Sequence, residues 1–183
     1  MIKKITILIT TVFLTTFGST AYADFSDGWD AATGGDYKTA LKEWQPLADQ
    51  GYAKAQYNLG LMHDNGNGVL KDDKQAVKWY QKAADRGHAK AQYNLGLMYD
   101  NGNGNGVLKD GQQAVKWYQK AADQGFAKAQ HNLGVIYANG TGELKDLSKA
   151  KYWIKKAYEN PDARASTIGL AEKDWNQFEL WKY

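Results

Sequence analysis

A segment of about 36 residues that occurs three times in succession constrains this chain more than any other feature. Residues 52–87 read YAKAQYNLGLMHDNGNGVLKDDKQAVKWYQKAADRG, residues 88–125 repeat them almost letter for letter, and residues 126–161 form a more divergent third copy. A unit of this kind cannot bury its own apolar face, so the copies must stack on one another. The sequence therefore predicts a solenoid of stacked units.

The flanking segments predict a capping unit at each end. Residues 24–51 align with the second half of the first repeat and predict an N-terminal capping helix pair. Residues 162–183 predict a capping helix from Ala163 to about Lys173, followed by an aromatic tail that covers the last repeat or, alternatively, docks on a partner. In that tail Trp175, Phe178 and Trp181 share one face of a helical turn. The aligned pairs of the first cap are Asp36 with Asp72, Ala40 with Ala76, Leu41 with Val77, Leu47 with Ala83, Ala48 with Ala84, and Gly51 with Gly87.

Each repeat predicts two helices. In the first helix Ala55, Leu59 and Met62 follow the i, i+4, i+7 spacing of a single apolar stripe. The Asn-Gly-Asn-Gly run at residues 65–68 tolerates positive φ angles, so it ends this helix and turns the chain.

The second helix of each repeat is predicted to begin at an aspartate. Asp72 fits the N-cap position, and Gln75 follows three residues later as in a capping box. We expect Trp79 to be the large core ring of this helix, so that Trp79→Ala would cost on the order of 3–5 kcal/mol. The small residues expected to let neighbouring helices approach around it are Gly60, Ala83 and Ala84.

This pattern resembles the Sel-one-like repeat, a relative of the tetratricopeptide repeat. The likeness lies in the period, the loop glycines and the motif A-x-A-Q-x-N-L-G-x-M followed by A-V-x-W-Y-x-x-A-A-x-x-G, and it covers nearly all of residues 25–160. Pro161 replaces the closing glycine of the third copy, and the likeness fades after Ala165. The resemblance implies an all-α fold, a right-handed α/α superhelix of antiparallel helix pairs, which serves as an adaptor or assembly scaffold.

The first 23 residues match a cleaved signal peptide. Lys3 and Lys4 precede an apolar run at residues 5–17, and Ala21-Tyr22-Ala23 has the small-x-small pattern that a signal peptidase cuts. The run is too short for a stable membrane span. We expect cleavage after Ala23 and a periplasmic or secreted protein that does not insert into the membrane.

Charge and cysteine content limit the classes of partner. Without Lys3 and Lys4, 21 of the 23 basic residues remain, against 20 acidic residues. Nucleic acid and anionic membranes require concentrated positive charge, which argues against both as the main partner. The chain has no cysteine, which excludes disulfides and thiol chemistry. We expect a monomer whose partner is another protein or an extended peptide.

Neither the histidines nor the glycine-rich loops predict a metal or cofactor site. His63, His88 and His131 each replace an aromatic residue of the other copies, one per unit, so they need not converge. The loops at residues 64–68 and 100–106 place glycines where a calcium loop needs oxygen ligands, and no strand precedes them as in a phosphate loop. We interpret both loops as turns and expect no cofactor.

One motif supports an alternative function. Ser148 and Lys151 form the S-x-x-K pattern of penicillin-recognising enzymes. Some cysteine-rich members of the family that the chain resembles have been described as binding penicillin. The accompanying S-D-N and K-T-G motifs are absent. A cell-wall or β-lactam-binding enzyme of the envelope is therefore the alternative to a binding scaffold.

The first helices carry a second stripe that predicts a binding surface. Lys54, Asn58 and Leu61 share a face distinct from the apolar stripe, and stacking extends this face into rows. In tetratricopeptide proteins, which the chain resembles, the corresponding face is concave and binds extended peptides, with asparagines on the peptide backbone and lysines on carboxylates. Alternatively, these are ordinary solvated positions. The predicted binding residues are Lys54, Tyr57, Asn58, Leu61, Lys90, Tyr93, Asn94, Leu97, Lys128, His131 and Asn132.

The sequence thus predicts an exported scaffold that binds a protein or peptide in a preorganised groove and catalyses no reaction. An adaptor for envelope assembly and an immunity protein that masks a toxin both fit this prediction. A structural oligomer joined through the aromatic tail is a third alternative.

Overall fold

The computed structural model describes residues 25–102, 108–140 and 145–182, which form an all-α solenoid of antiparallel helix pairs. The predicted fold class is confirmed. The predicted signal peptide and most of the loop at residues 100–106 lie outside the described residues. Within the described ranges, no helix has both the length and the apolar character that a membrane span requires. The helices are α1 (25–33), α2 (Tyr37–Asp49), α3 (Ala53–Asn65), α4 (Asp73–Asp85), α5 (Ala89–Asn101), α6 (Gly111–Asp123), α7 (Ala127–Asn139), α8 (Leu147–Tyr158) and α9 (Ala165–Gln177), followed by a 3₁₀ turn (Leu180–Lys182).

Helices pack against their neighbours in sequence, and their buried side chains form three successive clusters. The first cluster joins α2 to α3 and contains Trp44 and Leu59. The second joins α4, α5 and α6 around Tyr80, and the third joins α6 to α9 around Tyr118 and Ile154. No cluster is confined to one helix pair, so a single unit has no core of its own, as the repeat predicted.

An aspartate begins the second helix of every pair. The Asp72 carboxylate accepts a hydrogen bond from the Gln75 backbone N–H at 3.0 Å, which confirms the predicted cap. Asp36 accepts from the Thr39 backbone N–H in the same way, at 3.1 Å, so the first pair follows the same local rule as the repeats. The corresponding caps of α6 and α8 are Asp110 and Asp146.

In each pair a glycine of the first helix lies beneath a large side chain of the second. A Cβ atom at Gly60 would lie within 3.0 Å of the ring of Tyr80, which is fully buried. The missing side chain therefore lets the two helices approach closely enough for the ring to fill the space between them. The four pairs are Gly28 with Trp44, Gly60 with Tyr80, Gly96 with Tyr118, and Gly134 with Ile154.

Tyr80, rather than Trp79, is the large core ring of the first repeat, which corrects the expectation from the sequence. Successive residues of a helix point about 100° apart, so only one of the two rings can face Gly60. Trp79 is half-buried against the first cluster, and the Lys82 ammonium group lies 3.9 Å from its ring centroid. Its equivalent Trp117 is 3% exposed and belongs to the second cluster.

Buried glutamines join each repeat to the unit before it. The Gln56 side chain donates to the Ala48 carbonyl at 2.9 Å, and Gln92 donates to the Ala84 carbonyl at 3.0 Å. The Ala48 and Ala84 carbonyls also accept the backbone N–H groups of Gly51 and Gly87, each at 3.0 Å. The glutamine amide is therefore a second donor to each carbonyl, and it links the end of one unit to the first helix of the next. Gln130 repeats the contact in the third copy, with the Ala122 carbonyl at 3.1 Å.

The C-terminal cap differs in extent from its prediction. Helix α9 covers Ala165–Gln177. It begins two residues later than the predicted helix and ends four residues later. Trp175 and Phe178 pack against the third cluster, but Trp181 is 55% exposed and Leu180 is buried instead. Glu179 has a φ of 51°, in the left-handed region, which turns the chain so that Leu180 faces the core.

Gly60→Ala is expected to lower the free energy of unfolding by about 1–3 kcal/mol, because the added methyl group would overlap the buried Tyr80 ring. Gly169→Ala is the matched control, since Gly169 lies inside α9 and a Cβ there meets no atom within 4 Å. The control is expected to be neutral or to stabilise by up to about 1 kcal/mol. Urea unfolding followed by circular dichroism measures both. Equal losses in the two variants would contradict the close approach at Gly60.

Tyr80→Ala is expected to destabilise the protein by roughly 3–5 kcal/mol, because it empties a fully buried ring site. Trp79→Ala is expected to cost less, since Trp79 is already partly in contact with solvent. The same unfolding measurement decides between the two rings. A larger loss for Trp79→Ala would restore the interpretation made from the sequence.

Candidate binding groove

Three exposed lysines occupy the second position of three first helices. Lys54, Lys90 and Lys128 lie in the first turns of α3, α5 and α7. None of the three forms a salt bridge within the described part of the chain. A cation at a helix N-terminus opposes the helix dipole and costs a few tenths of a kcal/mol or more. Their recurrence at an unfavourable position favours a role in binding anionic groups over a role in stability.

Aromatic rings at the base of this lysine row connect one unit to the next. The Tyr57 ring stacks on the His88 ring with centroids 4.6 Å apart, and the Tyr93 ring lies 5.1 Å from that of Phe126. Burial raises the pKa of both Tyr57 and Tyr93, so their phenols stay protonated at neutral pH and can donate hydrogen bonds.

Two of the three predicted asparagines are engaged by tyrosines of the preceding unit. The Asn94 side chain lies within hydrogen-bonding reach of the Tyr57 and Tyr80 hydroxyls. Asn132 stands in the same relation to Tyr93, whereas the buried Tyr118 hydroxyl forms no hydrogen bond. These amides therefore help to align consecutive units.

Asn58 differs from the other two asparagines. It is 6% exposed, and its Nδ2 atom forms no hydrogen bond. The unit before it has Trp44 where the repeats have a tyrosine, and the Trp44 indole N–H donates to the Phe25 carbonyl at 3.2 Å instead. A side chain that was predicted to be accessible is thus a buried donor without an acceptor.

His131 is also buried, and it holds the C-terminal helix. Its Nε2 atom lies 2.6 Å from the Asp174 carboxylate of α9, and both side chains are largely buried. The histidine stands where the earlier repeats have Tyr57 and Tyr93, each of which contacts an aromatic ring of the next unit. Here the next element offers a carboxylate, and an imidazole can pair with it.

Two open cavities adjoin along the face that carries the lysines. One, of about 600 Å³, lies between α1 and the N-terminal ends of α3 and α5. The other, of about 510 Å³, lies between α5, α7 and the start of α9. Both are lined by Tyr57, Ala89 and Lys90, so together they form one groove, called the first-helix groove below.

Most of the predicted binding residues line the first-helix groove, and four of them do not. Leu61 packs against the second cluster, and Leu97, His131 and Asn132 line neither cavity. The predicted residues that line the groove are Lys54, Tyr57, Asn58, Lys90, Tyr93, Asn94 and Lys128. Repeat alignment missed the contributions of the two caps, namely Phe25, Trp29 and Arg164, because these residues have no counterpart in the repeats.

The residues of the S-x-x-K pattern lie outside the first-helix groove. Among the described residues, no group of three His, Cys, Asp or Glu side chains is placed to hold a metal ion. Ser148 is exposed in the first turn of α8, whereas Lys151 lines a separate cavity between α8 and α9, with its ammonium group 5.9 Å from the Trp175 ring centroid. Ser148 is not among the residues that line that cavity.

Comparison with known proteins identifies the repeats. The Sel1 repeat model matches residues 53–88, 89–126 and 127–162, and each match begins at the first residue of α3, α5 or α7. The Sel1 repeat protein from Oxalobacter formigenes superimposes with a TM-score of 0.70 at 40% identity, covering 78% of this chain and 58% of that one. For c5321, a protective antigen of uropathogenic Escherichia coli with an SLR fold, the TM-score is 0.73 at 37% identity, covering 84% of this chain and 33% of that one.

A curated relative matches over a single repeat. DAP3-binding cell death enhancer 1 of Rattus norvegicus is 50% identical over 38 residues, which are 21% of this chain and 8% of that protein. The chain therefore spans only part of the length of the relatives it matches.

His88→Tyr is expected to make stability less sensitive to acid. Burial, and then the charges of Lys90 and Lys54, lower the pKa of His88 below its usual value of 6.5. The unfolded chain therefore takes up a proton more readily than the folded one, so the free energy of unfolding falls as the pH drops through 6.5. Tyr52 occupies the same position in the first repeat, so the ring should be accommodated. Unfolding curves at pH 7.5 and 5.5 should show a smaller loss of stability for the variant than for the wild-type chain. Equal losses would contradict the burial of a neutral His88.

Proposed function

The chain belongs to the Sel1 repeat family, and we propose that it binds an acidic segment of another protein along the first-helix groove. Sel1 repeats form scaffolds that mediate protein interactions. The partner binds in this groove, and the positive charge of the groove favours acidic segments over neutral or basic ones.

The observation that carries this proposal is the row of unpaired lysines along two adjoining cavities. Lys54, Lys90 and Lys128 recur at one position of successive units, so an extended chain meets a cation at each step. Arg164 continues the positive charge at the end of the groove, and Asp162 is the single acid that lines it. The field favours carboxylates of a partner and raises its rate of association.

Rigidity supports the same function. The aspartate caps, the glycine contacts and the buried glutamines fix the helices before any partner arrives. A preformed groove loses little conformational entropy on binding, so more of the contact energy appears as affinity. Tyr57 and Tyr93 offer aromatic surface together with a polar hydroxyl, a combination that is common at protein interfaces.

From the signal peptide that the sequence predicts, we propose that this activity lies outside the cytoplasm, in the periplasm or beyond the cell. Within that setting, an envelope adaptor and an immunity protein differ in affinity. An immunity protein should bind one toxin with a dissociation constant in the nanomolar range, whereas an adaptor should bind more weakly and to more than one partner.

The triple variant Lys54→Glu, Lys90→Glu, Lys128→Glu is expected to lose the partner that the wild-type chain captures from an envelope extract. For a partner identified in this way and purified, the dissociation constant should rise by at least about ten-fold, and wild-type affinity should fall with added salt. Isothermal titration calorimetry at two salt concentrations measures both effects.

The matched control reverses three lysines at one equivalent position of the second helices. Lys42, Lys78 and Lys116 are exposed and line none of the three cavities described, so their replacement by glutamate changes the net charge equally away from the groove. The control should bind as the wild-type chain does. Loss of binding in both triple variants would show a general charge effect, and retention in both would move the site away from the groove.

A further inference from the structure

The two cavities of the first-helix groove differ in their walls. The cavity beside α1 is lined by five aromatic or imidazole rings, those of Phe25, Trp29, Tyr52, Tyr57 and His88. Several of these rings hold one another in place: Phe25 meets Tyr52 edge-on at 5.4 Å, and Tyr57 stacks on His88. The Trp29 ring is 53% exposed, so one flat apolar face is open to a ligand.

A hydrogen-bond donor lacks a partner in the lining of this cavity. Asn58 is buried, and its Nδ2 atom forms no hydrogen bond, whereas the equivalent Asn94 and Asn132 approach tyrosine hydroxyls. A buried amide without an acceptor costs free energy, which binding of an acceptor would recover. Among these three equivalent asparagines, Asn58 is the one that lines the aromatic cavity.

The two side chains in the lining of this cavity that carry a full charge are both lysines. Lys54 and Lys90 line it, and no carboxylate does so among the residues described; the other cavity includes Asp162. The lowered pKa of His88, due first to burial and then to these two lysines, shows that both charges act on the lining and leaves the imidazole neutral at pH 7. The His88 Nδ1 atom already accepts the Ala91 backbone N–H at 3.2 Å.

We propose that this cavity is a pocket for a carboxylate that carries a flat apolar ring and a nearby carbonyl group. The ring fits between Trp29 and the tyrosines, and the carboxylate meets Lys54 and Lys90. The carbonyl accepts from the Asn58 Nδ2 atom, which is buried and reaches the cavity when the amide rotates. An N-acylated aromatic amino acid has these three groups, either as a free molecule or as the last residue of a peptide. The pocket deepens the proposed function, because it lies at the end of the same groove.

N-acetylphenylalanine is the probe, titrated into the full chain and followed by ligand-observed NMR. Two close analogues test the separate contributions: N-acetylphenylalaninamide lacks the charge, and N-acetylalanine lacks the ring. Each should bind at least about ten-fold more weakly than the probe. Equal binding of all three would overturn the assignment of ligand class.

Asn58→Ala tests whether the probe occupies this cavity. It should weaken binding of the probe by roughly three- to ten-fold without lowering the melting temperature, because the Nδ2 donor has no hydrogen bond to lose. Asn132→Ala is the matched control at the same repeat position: it should lower the melting temperature, since it removes contacts to Tyr93, and leave probe affinity unchanged. Unchanged affinity in Asn58→Ala and in Lys90→Glu would overturn the site.

A peptide that ends in phenylalanine with a free carboxylate separates the two sources of the ligand. Affinity at least about ten-fold above that of N-acetylphenylalanine indicates the end of a partner protein, and equal affinity indicates a small molecule; both outcomes support the pocket. If the probe does not bind the wild-type chain but the lysine triple variant loses the protein partner, the pocket is overturned and the proposed function stands. If the probe binds the wild-type chain but the triple variant still binds the protein partner with unchanged affinity, the proposed function is overturned and the pocket stands.

Discussion

The contact between a glycine and a large side chain within each helix pair is the constraint on which the solenoid depends. Gly28, Gly60, Gly96 and Gly134 each leave room for one side chain of the facing helix, although that side chain changes from tryptophan to tyrosine to isoleucine. The distance between the two helices is thus fixed by the absence of an atom rather than by one preferred residue. The same close approach recurs in the first helix pair and in all three repeats, so the glycine position is shared by all four units.

The groove is a consequence of this packing. Once the large ring points toward the glycine and the glutamine points toward the preceding unit, the remaining faces of the first helix must lie at the surface. Lys54 and its equivalents fall on that surface at the helix N-terminus, and Tyr57 and Asn58 lie partly beneath. The same helix thereby supplies the core on one side and the lysines of the groove on the other, while Tyr57 and Tyr93 both line the groove and contact the next unit.

The positions of residues that recur in every repeat could be predicted from the sequence. The contacts that repeat residues make with residues outside the repeats could not. The stripe of Ala55, Leu59 and Met62 and the Asp72 cap depend on local spacing, and both are confirmed. Trp79 and Tyr80 are adjacent large rings, and helical spacing alone does not determine which of them faces Gly60 of the other helix. The pairing of His131 with Asp174 joins positions 43 residues apart, and no periodicity links them.

The array ends where the amide that couples units disappears. The fourth residue of α3, α5 and α7 is a glutamine that reaches back to the preceding helix, whereas the fourth residue of α9 is Ile168. Asn160 donates instead to the Gly125 carbonyl, at the end of the second repeat, and to the Gln130 side chain of the third. The length of this scaffold is therefore modular: a further copy of residues 88–125, inserted between existing copies, would add one ammonium group to the groove and leave both terminal surfaces unaltered.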